Sequence, residues 1–324
     1  MGDLLIISRA EVAAHLTYSA CIPLMREAMT ALSRGDTQQS LRTIIDLAGG
    51  RAFGIMPGAL SGGTFGAKLI SVYPGNNGTP SHQGVVTLFD PDNGAPVAIV
   101  DASEVTGIRT AAASAAATDA LARPDSRRLA ILGTGEQGLR HAEAIAEVRA
   151  LDSLSIWGRA PAKAKALKSI LESRLGCPVE VMESVEDAVR NADIVCTTTA
   201  SPEPILLSRW VRDGIHVNAI GSSRAGPAEI DAELVLRAHF FADHREGVLH
   251  QGGEFIRARE AGLVGDCHIR GEIGEVFAGT LTGRPDPEAV TVYKSLGSVV
   301  QDLAAGWYLF AQAKREGFGT SVVF

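Results

Sequence analysis

The 324-residue chain holds only four cysteines, Cys21, Cys177, Cys196 and Cys267, spread far apart with no CxxC pair. That spacing suggests neither a zinc site nor a disulfide framework. Cys196 sits in an apolar run and reads as a buried small hydrophobe. His239, His244, His250 and His268 show no HExxH or other metal spacing, so no metal centre is expected. A dense Lys/Arg run is also missing. With 37 acidic and 30 basic residues the net charge is −7, which disfavours nucleic acid and anionic membrane as partners. Residues 1–8 carry neither a basic lead nor a long apolar segment, and Ile6 stands where a myristoylation signal has Ser or Thr. The expectation is a cytoplasmic protein with no membrane partner. No internal repeat or low-complexity linker is visible. What the chain does have is 46% hydrophobic and 21% charged residues, enough for a soluble globular protein with a large core and, at this length, two domains.

One segment then stands out. The apolar run 129–132 breaks into Gly133, Thr134, Gly135, Glu136, Gln137 and Gly138 before a helical pattern. Gly133 permits a sharp exit from a strand, Gly135 lets bare backbone approach a pyrophosphate, and Gly138 lets the next helix lie close to the sheet. A helix starting near Gln137 aims its unpaired N–H groups and dipole at the phosphates. Glycines at this spacing also occur in ordinary loops, but the following strand-like run 154–157 supplies a βαβ context. An NAD enzyme places Asp or Glu at the end of that next strand to bind the ribose 2′-hydroxyl. Here the chain reads Trp157, Gly158, Arg159, Ala160, Pro161, Ala162, Lys163, with two cations and no acid. Gly158 leaves room and Arg159 can fork onto a 2′-phosphate, so NADP(H) is preferred and NAD(H) is the alternative. The competing reading makes Arg159 and Lys163 plain solvated cations.

The expected fold is α/β, a Rossmann-type doubly wound parallel sheet plus a smaller α+β domain. Residues 11–33 show helical spacing, and residues 41–47, 52–56, 64–72, 84–89 and 96–100 read as strands of an antiparallel or mixed sheet. An alanine-rich helix is expected over 106–121. Strands follow over 179–182, 193–198, 217–220, 240–242 and 289–293, alternating with helices, which predicts a parallel sheet. A terminal helix over 298–314 is expected to return to the first domain. The domains are therefore 1–118, completed by 298–324, and 119–297.

Four groups in the first domain lie within apolar or glycine-rich segments, where a charge is costly unless it binds something. They are Arg42, Lys68, His82 and Arg109. If Thr106 caps its helix, Arg109 falls in the first turn, where cation and dipole together favour a carboxylate. An exposed sheet cation or a structural ion-pair partner is the open alternative for each basic residue.

The runs Lys68-Leu-Ile-Ser-Val-Tyr73, Pro80-Ser-His-Gln83, Thr106-Gly-Ile-Arg-Thr-Ala-Ala-Ala113 and Val292-Tyr-Lys-Ser-Leu-Gly297, with the glycine turn between them, resemble the ornithine cyclodeaminase and mu-crystallin family over nearly the whole chain. The resemblance implies a substrate-binding and dimerising first domain, a nicotinamide-binding second domain and a homodimer. It matches Arg42, Lys68 and Arg109 to the carboxylate-binding and catalytic cations, and His82 and Gln83 to a turn near the nicotinamide. Thr110, Ser295, Thr199, Ile220 and Gly221 match cofactor-bordering positions. The family's cyclodeaminases carry an Asp where this chain has Ser223, and a hydroxyl cannot serve as the ionised partner of an ammonium. Ser223 is otherwise a simple turn residue. The Ser223-Arg224 pair and the Trp-Gly-Arg pocket resemble the ketimine reductase branch. The implied activity is NADPH-dependent reduction of a small imine carboxylate, such as a cyclic ketimine, to an L-amino acid. Lys68 is the candidate for orienting the substrate and for the proton chemistry, with His82 or a bound water as an alternative relay, and Gln83 and Ser223 are implied near the substrate. The alternatives are an ornithine cyclodeaminase, an alanine-type amino-acid dehydrogenase and a non-catalytic NADPH-dependent ligand binder.

Overall fold

The computed structural model describes residues 3–74, 76 and 80–323. Met1 and Gly2, part of the N-terminal targeting reading, lie outside the described residues. The chain divides into two compact units, Met1–Arg109 with Ser298–Phe324, and Thr110–Gly297.

The chain opens with β1 (Asp3–Ile7), α1 (Arg9–His15) and α2 (Tyr18–Arg34). The single helix expected over 11–33 is thus interrupted. Ser8 and Glu11 form a capping box at the start of α1, and the Thr17 hydroxyl accepts the Ala20 N–H to restart the helix as α2. Each cap satisfies a backbone donor that the first turn leaves unpaired. Next come β2 (Gln38–Gln39), β3 (Thr43–Leu47), β4 (Arg51–Ala59), β5 (Phe65–Val72), β6 (His82–Phe89), β7 (Pro96–Asp101) and α3 (Ala102–Leu121).

Helix α3 begins at Ala102, not at Thr106, because the Asp101 carboxylate accepts the Glu104 N–H at 2.8 Å and supplies the cap. Thr106 instead donates its hydroxyl to the Ala102 carbonyl at 2.5 Å, one turn back. Arg109 consequently lies beyond the first turn, and the helix dipole falls off too quickly to favour an anion there.

The second unit runs through β8 (Arg128–Leu132), α4 (Glu136–Val148), β9 (Ser153–Trp157), α5 (Pro161–Leu175), β10 (Val179–Val181), α6 (Val185–Val189), β11 (Ile194–Thr197) and β12 (His216–Ala219). It continues with α7 (Ala232–Arg237), β13 (His239–Ala242), α8 (Arg245–Gln251), α9 (Gly253–Glu260), β14 (Ile269–Glu272), α10 (Ile273–Phe277) and β15 (Thr291–Lys294). Among the described residues these strands form one sheet in the order β10-β9-β8-β11-β12-β15-β13-β14, every pair parallel. The order reverses between β8 and β11, which is where open α/β sheets leave a crevice beyond the carboxyl ends of their strands. Ala130, Leu132, Val195, Val217, Phe240 and Val292 fill its core, the near-continuous apolar strands that a sheet covered on both faces requires.

The chain then returns to the first unit as α11 (Val299–Glu316) and β16 (Thr320–Val323). Among the described residues the first unit's sheet runs β16-β1-β7-β6-β5-β4-β2, with β3 also on β4. The β1–β7 pair is parallel and the others are antiparallel. Helix α11 packs so tightly on this sheet that a Cβ at Gly58 would stand 2.6 Å from a Val299 methyl. Strand β3 is exposed along its whole length, with Ile44 at 43% and Ile45 at 49%.

Two buried histidines tie polar groups together inside the second unit. His216 contacts the Thr291 hydroxyl at 2.9 Å and the Asn218 carbonyl oxygen at 3.2 Å. His141 lies between the Ser114 hydroxyl at 3.0 Å and the Gln137 carbonyl at 2.7 Å. Burial, above all, pulls His216 down to about 3 and His141 down to about 4. Both imidazoles stay neutral in the folded protein where those of an unfolded chain, near 6.5, take up a proton. Their contribution to stability is complete above about pH 6.5 and is lost as pH falls, by up to about 1.4 kcal/mol per pH unit for each imidazole. Burial raises Glu229 and Asp243, which acts in the opposite sense at lower pH, so the informative comparison is between variants. Urea unfolding should show a shallower loss of stability from about pH 7 to about pH 5 in His141→Gln than in the wild type. Parallel slopes would mean that His141 titrates as it does in the unfolded chain.

Candidate functional site

In the first unit the expected cations meet around an acid. Lys68 sits in the middle of β5, opposite Met56 and Val86. Its Nζ donates to Asp302 Oδ1 at 3.1 Å and to Thr106 Oγ1 at 2.6 Å. Arg109 Nε donates to the same Asp302 Oδ1 at 2.9 Å, and Arg109 Nη1 donates to Gln301 Oε1 at 2.8 Å. The three charged side chains are almost wholly buried, at 3% exposure for Lys68, 5% for Arg109 and 0% for Asp302. Burial pulls Lys68 down to about 8, opposed by Asp302 and reinforced by the nearby charges of Arg109 and Arg42. Burial works to raise Asp302 as well, but Arg109 and Lys68 outweigh it and hold the carboxyl below its ordinary value. Asp302 Oδ2 is buried with no hydrogen-bond partner among the described residues.

Arg42 is half-buried and immediately precedes β3. His82 and Gln83 open β6 and are exposed. His82 pairs across the sheet with Val72, four residues along β5 from Lys68, a distance of about 13 Å along the strand. Its Nδ1 lies 2.9 Å from the Ser81 hydroxyl. The structure therefore brings Lys68 and Arg109 together, sets Arg42 close enough to act on Lys68, and leaves His82 outside the cluster. Asp302 and Gln301 are additions to the residues expected from sequence. Their signal is a polar pair interrupting the apolar start of α11 between Val300 and Leu303, but nothing local says which cations it meets.

In the second unit Gly133 leaves β8 at φ 133, and Gly135 caps α4 without any side-chain acceptor on its first turn. A Cβ added at Gly135 meets nothing within 4 Å, whereas one at Gly138 would stand 2.4 Å from the Gly133 carbonyl oxygen. The turn is thus tight underneath and open above. Gly158 allows the Thr134 side chain to close over the end of β9, since a Cβ there would come within 2.5 Å of the Thr134 methyl. Glu136 lies in the first turn of α4, 3.7 Å from Arg140. Arg159 and Lys163 are exposed and make no ion pair among the described residues.

Thr110 Oγ1, Gln137 Oε1 and Ser295 Oγ are buried without a hydrogen-bond partner among the described residues. Buried polar groups ordinarily have partners, so these orphans fit a polar ligand. Across the ends of β11 and β12, the buried Glu229 carboxylate accepts from Thr199 N, Thr199 Oγ1, Thr197 Oγ1 and Gly221 N, at 2.5, 2.7, 2.7 and 2.6 Å. That carboxylate fastens Thr199 and Gly221 at the carboxyl edge of the sheet, with Ile220 held by the Thr197 carbonyl at 3.1 Å. Behind it, Lys294 Nζ pairs with Glu254 at 2.9 Å and donates to the Ser222 carbonyl at 2.6 Å. Ser223 follows in the same loop, half-buried. The open turn, the uncapped helix start and the orphaned polar atoms together fit a nicotinamide dinucleotide. Among the described residues, no cluster of three or more His, Cys, Asp or Glu is placed to hold a metal, and no helix is long and apolar enough to cross a membrane.

The chain matches the ornithine cyclodeaminase/mu-crystallin family over residues 3–317. It is 37% identical over 307 residues to the ketimine reductase mu-crystallin of Mus musculus, covering 92% of this chain and 94% of that protein. It is 34% identical over 294 residues to a Delta(1)-pyrroline-2-carboxylate reductase of Bacillus cereus, covering 87% and 90%. Its structure is similar to that of the Thermococcus litoralis Delta(1)-pyrroline-2-carboxylate reductase in complex with NADH and L-proline, with a TM-score of 0.95, 31% identity and coverage of 98% and 100%.

Two glycine variants separate the cradle from its scaffold. Gly135→Ala adds a methyl into open space at an extended backbone position, so its unfolding free energy should stay within about 0.5 kcal/mol of the wild type. If the turn holds the cofactor, nicotinamide binding, followed by cofactor fluorescence, should weaken by about tenfold or more. Gly138→Ala should lower stability itself, because its methyl strikes backbone. Unimpaired cofactor binding by a folded Gly135→Ala protein would remove the turn from the binding site.

Proposed function

The chain belongs to the ornithine cyclodeaminase/mu-crystallin family, and from that premise we propose that it reduces a small cyclic imine carboxylate, of the pyrroline or piperideine type, to the L-amino acid with NADPH. It is an oxidoreductase acting on a carbon–nitrogen bond with a nicotinamide cofactor. The observation that carries the substrate reading is the meeting of Lys68 and Arg109, with Arg42 nearby, in a nearly closed place. Asp302 and Gln301 occupy Arg109 Nε and one Nη1 hydrogen, which leaves the rest of the guanidinium fork for a substrate carboxylate. A carboxylate gripped by arginine is oriented as well as bound, and orientation of the imine carbon lowers the barrier by fixing the reacting geometry. When bound, the reduced nicotinamide supplies the hydride to that carbon.

Lys68 supplies the proton. With a value pulled down to about 8, its ammonium is charged near neutrality yet gives up a proton readily, as general acid catalysis requires. An Nζ–H bond breaks as the nitrogen–hydrogen bond of the product amine forms, and water restores the ammonium. The exposed position of His82 favours Lys68 over it in this role. In the second unit, Thr110, Gln137, Gly138, Ser295 and the Gly133–Gly135 turn would hold the cofactor, with Thr199, Ile220 and Gly221 along its border. Gly158, Arg159 and Lys163 support NADPH over NADH. Ser223 offers no charge to a distal ammonium, which argues against an ornithine cyclodeaminase. The exposed apolar side chains Ile44, Ile45 and Leu47 of the sheet-edge strand β3 support a homodimer, since exposed apolar surface marks an interface.

A panel of cyclic imine carboxylates, 2-oxo acids with ammonia, and L-ornithine, followed by NADPH consumption and product analysis, tests the reading. Turnover is expected on the imines, with no proline or ammonia from ornithine and NAD. Efficient amination of a 2-oxo acid, with idle imines, would move the protein to the alanine-type dehydrogenases. For the cofactor, Arg159→Ala should weaken NADPH roughly ten- to a hundredfold and change NADH little. A wild type that uses both cofactors equally well would overturn the NADPH preference.

A further inference from the structure

We propose that Asp302, with Thr106 beside it, is the positioning residue that holds Lys68 in one orientation and keeps it protonated for the transfer to substrate nitrogen. The inference rests on the imine-reductase reading above and adds the group on which its proton donor depends.

The Thr106 hydroxyl hydrogen is given to the Ala102 carbonyl at 2.5 Å, so toward Lys68 its oxygen can only accept. Asp302 Oδ1, an ionised oxygen, likewise only accepts. Two of the three hydrogens of the Lys68 ammonium are therefore committed within the protein, and the third position carries either a hydrogen or, after deprotonation, a lone pair. The transferable proton has a single direction, set by Asp302 from α11 and Thr106 from α3. Asp302 is fixed in turn by Arg109, whose guanidinium also reaches the neighbouring Gln301.

The charges facing Lys68 make Asp302 decisive for its protonation. Arg109 on α3 and Arg42 before β3 both favour the neutral amine, as does burial; Asp302 opposes them with a charge, and the Thr106 oxygen by accepting one hydrogen bond. Cys21 of α2 faces the same cluster, but burial pushes its thiol up to about 12, so it brings no charge near neutrality. Removing the negative charge of Asp302 leaves two cations and a closed environment acting on Lys68 with no opposing charge, so Lys68 should give up its proton at lower pH.

The test is Asp302→Asn, which preserves the shape and an accepting oxygen while removing the charge. The chain has six lysines, Lys68, Lys163, Lys165, Lys168, Lys294 and Lys314, few enough for 13Cε-lysine NMR with Lys68 assigned by its loss in Lys68→Met. In protein free of substrate, the Lys68 midpoint should fall by about one pH unit or more in Asp302→Asn. The alkaline limb of the kcat–pH profile on the best imine should move down with it. An unchanged midpoint and an unchanged limb in folded Asp302→Asn would overturn the proposal. If that variant fails to fold, Thr106→Val removes the other acceptor without touching any charge. It should lower kcat by about tenfold or more while changing KM much less, and an unaltered kcat would overturn the proposal equally. The NMR midpoint needs neither substrate nor turnover, so a wild type that reduces no imine would fail the functional reading without obscuring what Asp302 does to Lys68.

Discussion

The Asp302 carboxylate is the point on which the first unit turns. Lys68 and Arg109 are placed by a strand and a helix that would otherwise bury two positive charges among Cys21, Met56 and Val86, at a cost that no amount of nearby apolar contact offsets. One oxygen of Asp302 accepts from both. The acid arrives from 234 residues beyond Lys68 and 193 beyond Arg109, so the sheet of the first unit cannot acquire a neutralised interior until the chain has passed through the whole second unit and returned as α11. Contacts of that sequence separation are slow to form, because closing the loop costs entropy before any contact rewards it. The first unit's cation cluster is therefore a product of the finished chain, not of its N-terminal third.

The second unit solves a similar problem at the carboxyl edge of its parallel sheet. Strand ends expose N–H groups and hydroxyls wherever the ladder stops, and here Glu229 gathers four such donors from the ends of β11 and β12. Four hydrogen bonds converging on one buried carboxyl form a satisfied polar network, so the loops that begin at Thr199 and Gly221 are held in place before any ligand binds. Lys294 and Glu254, both fully buried, stand behind that arrangement as a paired charge. The Thr110 and Ser295 hydroxyls and the Gln137 amide oxygen are buried without a partner among the described residues, which fits a polar ligand in this unit.

Local chemistry was readable wherever the cause is local. The glycine turn follows from the spacing of Gly133, Gly135 and Gly138, and each glycine answers to a contact within a few residues or one neighbouring strand. The strands β4 to β7 and the parallel strands of the second unit other than β14 lie close to their expected places because turn residues bracket them, while β14 was not expected. Arg42, Lys68 and Arg109 drew notice because charges in apolar runs need partners. The structure departs from the sequence expectation where two local signals compete. Thr106 has the chemistry of a cap, yet Asp101 sits earlier and is the stronger acceptor, so the helix starts there and the Thr106 hydroxyl turns back to a carbonyl. Periodicity over 11–33 likewise concealed the break at Leu16 and Thr17, because apolar residues keep nearly the same spacing across it.

The sequence by itself determined the α/β architecture, the dinucleotide-type turn and which basic residues needed explanation, since these depend on backbone sterics and on the cost of burying charge. Tertiary structure alone decided that Lys68 and Arg109 share one carboxylate, that His82 stands about 13 Å along the sheet from Lys68, that β16 closes the sheet beside β1, and that Glu229 ties two strand ends together. Each of these joins residues whose neighbours in the chain carry no trace of the partner. Charge neutralisation acts through space over a few ångströms, while the order of residues along the chain records only what happens within a turn or a strand.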